Sequence, residues 1–63
     1  MRKEINFQKA EPKIVTGEEG EYNIYLFDEN QTVFLNSYPD LKDAQRFEDR
    51  VKSALEIIKK QIG

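Results

Sequence analysis

The side chains that usually carry catalytic chemistry are scarce in this sequence. It contains no cysteine and no histidine, which removes thiol nucleophiles, imidazole general bases and the ordinary ligands of a structural zinc ion. Its two serines are Ser37 and Ser53, and Ser37 stands where the N-cap of a helix is expected. We therefore predict a protein that is not an enzyme, has no catalytic residue and takes no small-molecule substrate.

Carboxylates are the remaining groups that could act as acid and base or hold a divalent cation. They cluster in two polar segments: Glu18, Glu19 and Glu21 in the first, and Asp28 and Glu29 in the second. Neither segment has the spaced oxygen ligands of a calcium-binding loop. The glycines beside the first cluster flank acids rather than the lysine of a phosphate-binding loop. The sequence predicts neither a metal site nor a cofactor.

The length of the chain limits how it can be stabilised. With 63 residues it is expected to form one domain, 1–63. A chain of this size buries only about 60% of the surface that its unfolded form exposes, and disulfides and zinc are excluded by its composition. A sheet covered by a helix, or a partner chain, must supply the stability.

Charge is distributed unevenly along the chain. Residues 14–41 contain six acids and no cation, whereas residues 1–13 and 42–63 each carry a small positive excess. No apolar run approaches the roughly 20 residues of a membrane span, and the N-terminus lacks the apolar stretch of a secretory signal. We expect a cytoplasmic protein that makes no contact with membranes.

One long amphipathic helix is predicted from Leu41 to the C-terminus. At the helical period its apolar residues fall within an arc of about 140°. They are Leu41, Ala44, Phe47, Val51, Ala54, Leu55, Ile58 and Ile62. Ser37 is the expected N-cap, while Pro39 and Asp40 suit the first turn. Glu48 falls at the margin of the arc, with its carboxylate expected in solvent.

Two segments rich in β-branched and aromatic residues, 22–27 and 32–36, predict a hairpin. The turn between them, 28–31, includes Asn30, which suits a left-handed conformation. Tyr38 is expected to pack the start of the helix against the sheet.

Shorter strand candidates lie upstream, at 3–7 and 13–16, with Pro12 confining its strand to a sheet edge or a bend. The predicted fold is α+β, an antiparallel sheet of three or four strands with one long C-terminal helix packed on one face. The order of its elements is β-β-β-α.

Alternation along the hairpin strands assigns their two sides. The residues expected to meet the helix are Ile24, Leu26, Val33 and Leu35. The other side is expected to carry Tyr25, Phe27 and Phe34, with Asn23, Thr32 and Asn36. One helix cannot cover both sides of a sheet. The second side is therefore covered by the N-terminal segment, paired with another copy or used for binding.

The succession of strand, hairpin and helix over 20–47 resembles the arm-type DNA-binding domains of tyrosine integrases. The resemblance is carried by the segments 20–27, 33–38 and 41–47. It implies a three-stranded sheet that lies in the major groove and contacts phosphates and bases through Arg and Lys. The chain departs from that pattern where DNA would be bound. All the charged residues of 14–41 are acidic, and DNA phosphates repel them.

The pattern as a whole favours a small inhibitor or regulator that binds through an acidic, aromatic-bearing sheet face. The residues expected to form this face are Glu21, Tyr25, Phe27, Asp28, Glu29 and Phe34. The partner is another protein or a second copy, most simply in a homodimer. Size and composition are typical of accessory proteins of phages and mobile elements.

Two other functions stay open from the sequence. The first is nucleic-acid binding through the basic N-terminus and a helix row that we name the basic ridge. Its members are Lys42, Arg46, Arg50, Ile57 and Lys60, and it lies opposite the apolar stripe. The second is a structural homo-oligomer.

Overall fold

The computed structural model describes residues 5–62, apart from the side chain of residue 62. Three strands precede one helix: β1 (Glu11–Thr16), β2 (Tyr22–Phe27), β3 (Thr32–Tyr38) and α1 (Leu41–Ile62). The strands are antiparallel and lie side by side in the order β1-β2-β3. This confirms the predicted α+β fold with its β-β-β-α order.

The first strand forms one edge of the sheet. It begins two residues before the predicted segment and includes Pro12, whose missing N–H is tolerated because an edge strand has a side without a pairing neighbour. No strand forms at 5–7, where part of an additional strand was predicted. Those residues lead into a turn, in which Lys9 donates from its backbone N–H to the Asn6 carbonyl at 3.0 Å. The rest of that predicted strand lies outside the described residues.

Asp40, and not Ser37, caps the N-terminus of α1. Its Oδ1 accepts the backbone N–H of Lys42 at 3.0 Å, and its carbonyl accepts that of Ala44 at 3.2 Å. Ser37 lies within β3, which continues two residues beyond its predicted end. A residue before proline favours extended backbone. The strand therefore runs up to Pro39, and the cap falls on the residue after it.

A β-bulge in β3 changes which way the second half of the strand faces. Leu35 is an extra residue relative to β2. After it, Tyr38 lies on the helix side of the sheet, where its ring centroid is 5.7 Å from that of Phe47. Asn36 donates from its side chain to the Tyr38 hydroxyl at 3.1 Å. The prediction that Asn36 belongs to the other side was therefore wrong, whereas the role of Tyr38 at the start of the helix is confirmed.

The helix crosses the sheet diagonally. It begins over β3, where Phe47 meets Tyr38, and reaches the start of β1, where Leu55 packs with Ala10 and Leu26. Its contacts with β1 are accordingly more extensive than those with β2 or β3. The buried hydrophobic residues of the described chain are Ala10, Ile24, Leu26, Ala44 and Leu55, and the partly buried residues packed beside them include Ile5, Leu35 and Val51.

The diagonal leaves three residues at the surface that were predicted to be buried. Val33 and Leu41 are each 41% exposed, and Ala54 is exposed as well. Val33 belongs to the end of β3 from which α1 has already moved away. Leu41 and Ala54 mark the two margins of the apolar arc, which is wider than the strip of helix in contact with the sheet. Glu48, near one margin, is partly buried and pairs with Lys52 at 3.7 Å.

Candidate interaction surfaces

The side of the sheet away from α1, here called the outer face, carries the aromatic residues predicted to bind a partner. Tyr25 and Phe34 lie opposite one another in β2 and β3. Their ring centroids are 5.6 Å apart and their planes are 67° from parallel, an edge-to-face arrangement. Phe34 is 55% exposed, while Tyr25 is partly buried. The described chain thus presents an aromatic pair on the side that its helix does not cover.

A shallow cleft of about 230 Å³ adjoins this pair on the outer face. It is lined by Lys13, Val15, Tyr25, Phe27 and Thr32. The strand register places Lys13 directly opposite Tyr25, and Thr32 opposite Phe27. Lys13 is the one cation in the three strands. The cleft therefore combines apolar walls with a single ammonium group at its edge.

Asp28, one of the acids predicted to border the outer face, holds two parts of the chain together. Its Oδ2 accepts the backbone N–H of Asn6 at 2.7 Å, and its Oδ1 accepts those of Asn30 at 2.7 Å and Gln31 at 2.8 Å. These hydrogen bonds, led by the one from Asn6, hold the pKa of the carboxyl below its ordinary value of 3.8. Asn30 keeps a negative φ, so its predicted left-handed conformation was wrong: the Asp28 side chain shapes this turn.

The two other acids also lie in turns. The Glu29 carboxylate is 3.4 Å from the ammonium group of Lys9. Glu21 accepts the backbone N–H of Glu19 at 3.1 Å, within the turn that joins β1 to β2. Glu21 and the Asp28–Glu29 pair therefore lie at opposite ends of β2, so that the acids border the aromatic pair from its two ends.

The basic ridge lies in solvent along its whole length. All five of its residues are exposed, and Ile57 is the most exposed large hydrophobic residue of the described chain, at 59%. Arg46 and Arg50 also border a cleft of about 210 Å³ that includes Tyr38, Phe47 and Asp43. Basic residues 2 and 3, predicted to act with the ridge, lie outside the described residues.

A third groove, of about 340 Å³, lies between β1 and α1 and was not predicted. The Lys59 ammonium group donates to the Ala10 carbonyl across it at 3.4 Å, joining residues 49 positions apart. Its lining includes charges of both signs, from Glu11, Lys52, Glu56 and Lys59. No local pattern could have indicated it, because it exists only where the helix reaches the first strand.

Neither a metal centre nor a membrane-spanning helix is present in the described part of the chain. Over 5–62 no three acidic residues come together as ligands for a metal ion, and α1 lacks the apolar character of a membrane-spanning helix. No protein-family model, curated protein or solved structure matches the chain.

Proposed function

We propose that this protein is a non-catalytic protein-binding module that acts in the cytoplasm and engages its partner through the outer face. The observation that supports this most directly is the edge-to-face pair of Tyr25 and Phe34 on the side of the sheet away from α1. Large aromatic side chains supply much of the anchoring energy at protein interfaces. Here more than half of Phe34 and a part of Tyr25 are exposed to solvent, so a partner that covers them gains hydrophobic free energy.

The surroundings of the pair define the chemistry of the partner. The cleft of about 230 Å³ beside the pair offers the apolar walls of Val15, Tyr25 and Phe27 to a side chain of the partner. The turns at the two ends of β2 carry Glu21 at one end and Asp28 with Glu29 at the other. Rim charges of this kind steer association more than they hold the complex together. The best fit is a protein surface with a protruding apolar residue and basic residues on either side.

Affinity capture with three baits tests this proposal. The baits are the wild type, the outer-face variant Tyr25→Ser/Phe34→Ser, and the matched ridge variant Arg50→Ser/Ile57→Ser. We expect the wild type and the ridge variant to retain the same partner and the outer-face variant to lose it. Circular dichroism must show that all three baits keep their helix. Retention by the folded outer-face variant would contradict the proposal.

The basic ridge supports a second function, the binding of a nucleic acid or another polyanion. Arg46 and Arg50 stand one helical turn apart beside the cleft that contains Tyr38, where guanidinium groups could contact phosphates. Retention on immobilised DNA or heparin that falls steeply with salt, and that is lost in Arg46→Ser/Arg50→Ser, would favour this function.

A further inference from the structure

We propose that β3 pairs edge to edge with β3 of a second copy, which joins two three-stranded sheets into one antiparallel sheet of six strands. This goes beyond the proposed function, because it uses the edge of the sheet rather than its outer face and commits to this chain as the partner. It follows from a difference between the two edges.

The edge formed by β1 is protected against pairing. It contains Glu11, Pro12 and Lys13, and charges and proline are two of the devices by which edge strands avoid other chains. The edge formed by β3 has neither of these: its seven residues include no charge and no proline, in a sequence of which 35% is charged. Its bulge at Leu35, a third such device, lies beyond the stretch Thr32–Phe34 that would pair. It also exposes a large apolar residue on each side of the sheet, Val33 and Phe34.

The open edge presents backbone groups at defined positions. The backbone N–H of Asp28 donates to the Gln31 carbonyl at 3.0 Å, at the end of the β2–β3 ladder. Hydrogen-bonded and non-hydrogen-bonded pairs alternate in an antiparallel ladder. Counting from this end, the backbone N–H and C=O groups of Val33 point toward β2. Those of Thr32 and Phe34 point toward the open edge.

A second copy satisfies these groups in one simple register. In an antiparallel two-fold arrangement, Thr32 pairs with the partner's Phe34, and Phe34 pairs with the partner's Thr32. Val33 then lies opposite the partner's Val33, on the helix side of the sheet, at the short spacing of a non-hydrogen-bonded pair. A register centred on Phe34 would include the bulge at Leu35, where the ladder is disrupted.

The composition of the strand suits pairing with itself. Like charges directly opposite one another destabilise strand pairs, and β3 brings no charge to the two-fold axis. The described core is small: Ile24 is its largest fully buried side chain. Small domains without disulfides or metals commonly gain stability from association, and this pairing would cover Val33 in both copies.

Cysteine cross-linking tests the register directly, because the chain has no cysteine of its own. Val33→Cys places one thiol at the proposed axis. Val15→Cys is the matched control, since Val15 is 42% exposed against 41% for Val33 but lies on the protected edge strand. With oxidised glutathione at micromolar protein, we expect Val33→Cys to form a disulfide-linked dimer at least about tenfold faster than the control, because pairing raises the local thiol concentration. Equal rates would overturn the proposal.

Sedimentation equilibrium supplies an independent measurement. We expect the wild type and Val15→Lys to be dimers at micromolar concentration, and Val33→Lys to be a monomer because it sets two like charges opposite one another. A monomeric wild type would overturn the proposal. If Val33→Lys fails to fold, the cross-linking rates of Val33→Cys and Val15→Cys still test the proposed pairing. Val33 lies on the helix side of the sheet, away from the outer face. A folded Val33→Lys monomer that still captures the protein bound by the outer face would therefore show that the two interfaces are distinct.

Discussion

The rings of Phe34 and Tyr25 meet edge to face across β2 and β3, with 5.6 Å between their centroids, yet more than half of Phe34 remains exposed. The pair therefore gains part of its hydrophobic free energy within the described chain and leaves the rest available to a partner. A side chain placed in this way serves an interface better than it serves a core. This is why the outer face carries the proposed function.

Truncation of Phe34 should cost less stability than truncation of a core residue of similar character. We expect Phe34→Ala to lower the free energy of unfolding by less than about 1.5 kcal/mol, because so much of the ring is already in solvent. Leu26→Ala should cost about 2–5 kcal/mol, because Leu26 is 8% exposed and belongs to the core. Urea denaturation measures both. Equal losses would mean that Phe34 is a core residue and that the outer face is covered.

The assignment of the packed side of α1 can be tested with three substitutions near the middle of the helix. Leu55→Ala should cost about 2–4 kcal/mol because Leu55 is 5% exposed against Ala10 and Leu26, and Val51→Ala somewhat less because Val51 is only partly buried. Arg50→Ala should cost under about 0.5 kcal/mol as a surface change. Thermal or urea unfolding of the three variants is sufficient. Similar losses at all three positions would show that the packed side of α1 has been assigned wrongly.

Two substitutions show whether Asp40 or Ser37 caps the N-terminus of α1. Asp40→Ala should lower the free energy of unfolding by about 1 kcal/mol, because it removes the acceptor of the Lys42 N–H. Ser37→Ala should change it by less than about 0.5 kcal/mol, because Ser37 is an exposed strand residue. A larger loss at Ser37 than at Asp40 would restore the cap expected from the sequence.

Acid should weaken the protein partly through Asp28. Folding lowers the pKa of this carboxyl below 3.8 because three backbone N–H groups bond to its charged form. The stabilisation is thus fully present above 3.8, the ordinary value that the unfolded chain keeps, and is lost as the pH falls from there through the lower folded value. Asp28→Asn should be less stable than the wild type at pH 7, with a difference that shrinks toward pH 3. Urea unfolding at both pH values measures it, and a constant difference would contradict the assigned role.

Most of the fold could be predicted from the sequence because its signals are local. The apolar stripe of α1, the hairpin around 28–31 and the edge position of Pro12 each follow from residue type and spacing. The bulge at Leu35 could not be predicted in this way, since it depends on how β3 fits β2 and the helix. It moved Asn36 and Tyr38 to the helix side.

The candidate surfaces were predictable to a similar degree. Alternation alone identified Tyr25, Phe27 and Phe34, and helical spacing identified the exposed position of Ile57. The structural role of Asp28 was hidden, because it depends on a hydrogen bond to Asn6, 22 residues away. The exposure of Val33 was hidden as well, because only the diagonal of α1 reveals which end of β3 the helix leaves open.

We propose the outer face as the surface that a partner covers. Hydroxyl-radical footprinting measures this directly by comparing side-chain oxidation in the free chain and in its complex with the captured partner. We predict that Phe34 and Tyr25 lose reactivity on binding while Ile57, on the basic ridge, keeps its own. Protection of Ile57 with unchanged reactivity at Phe34 and Tyr25 would contradict it.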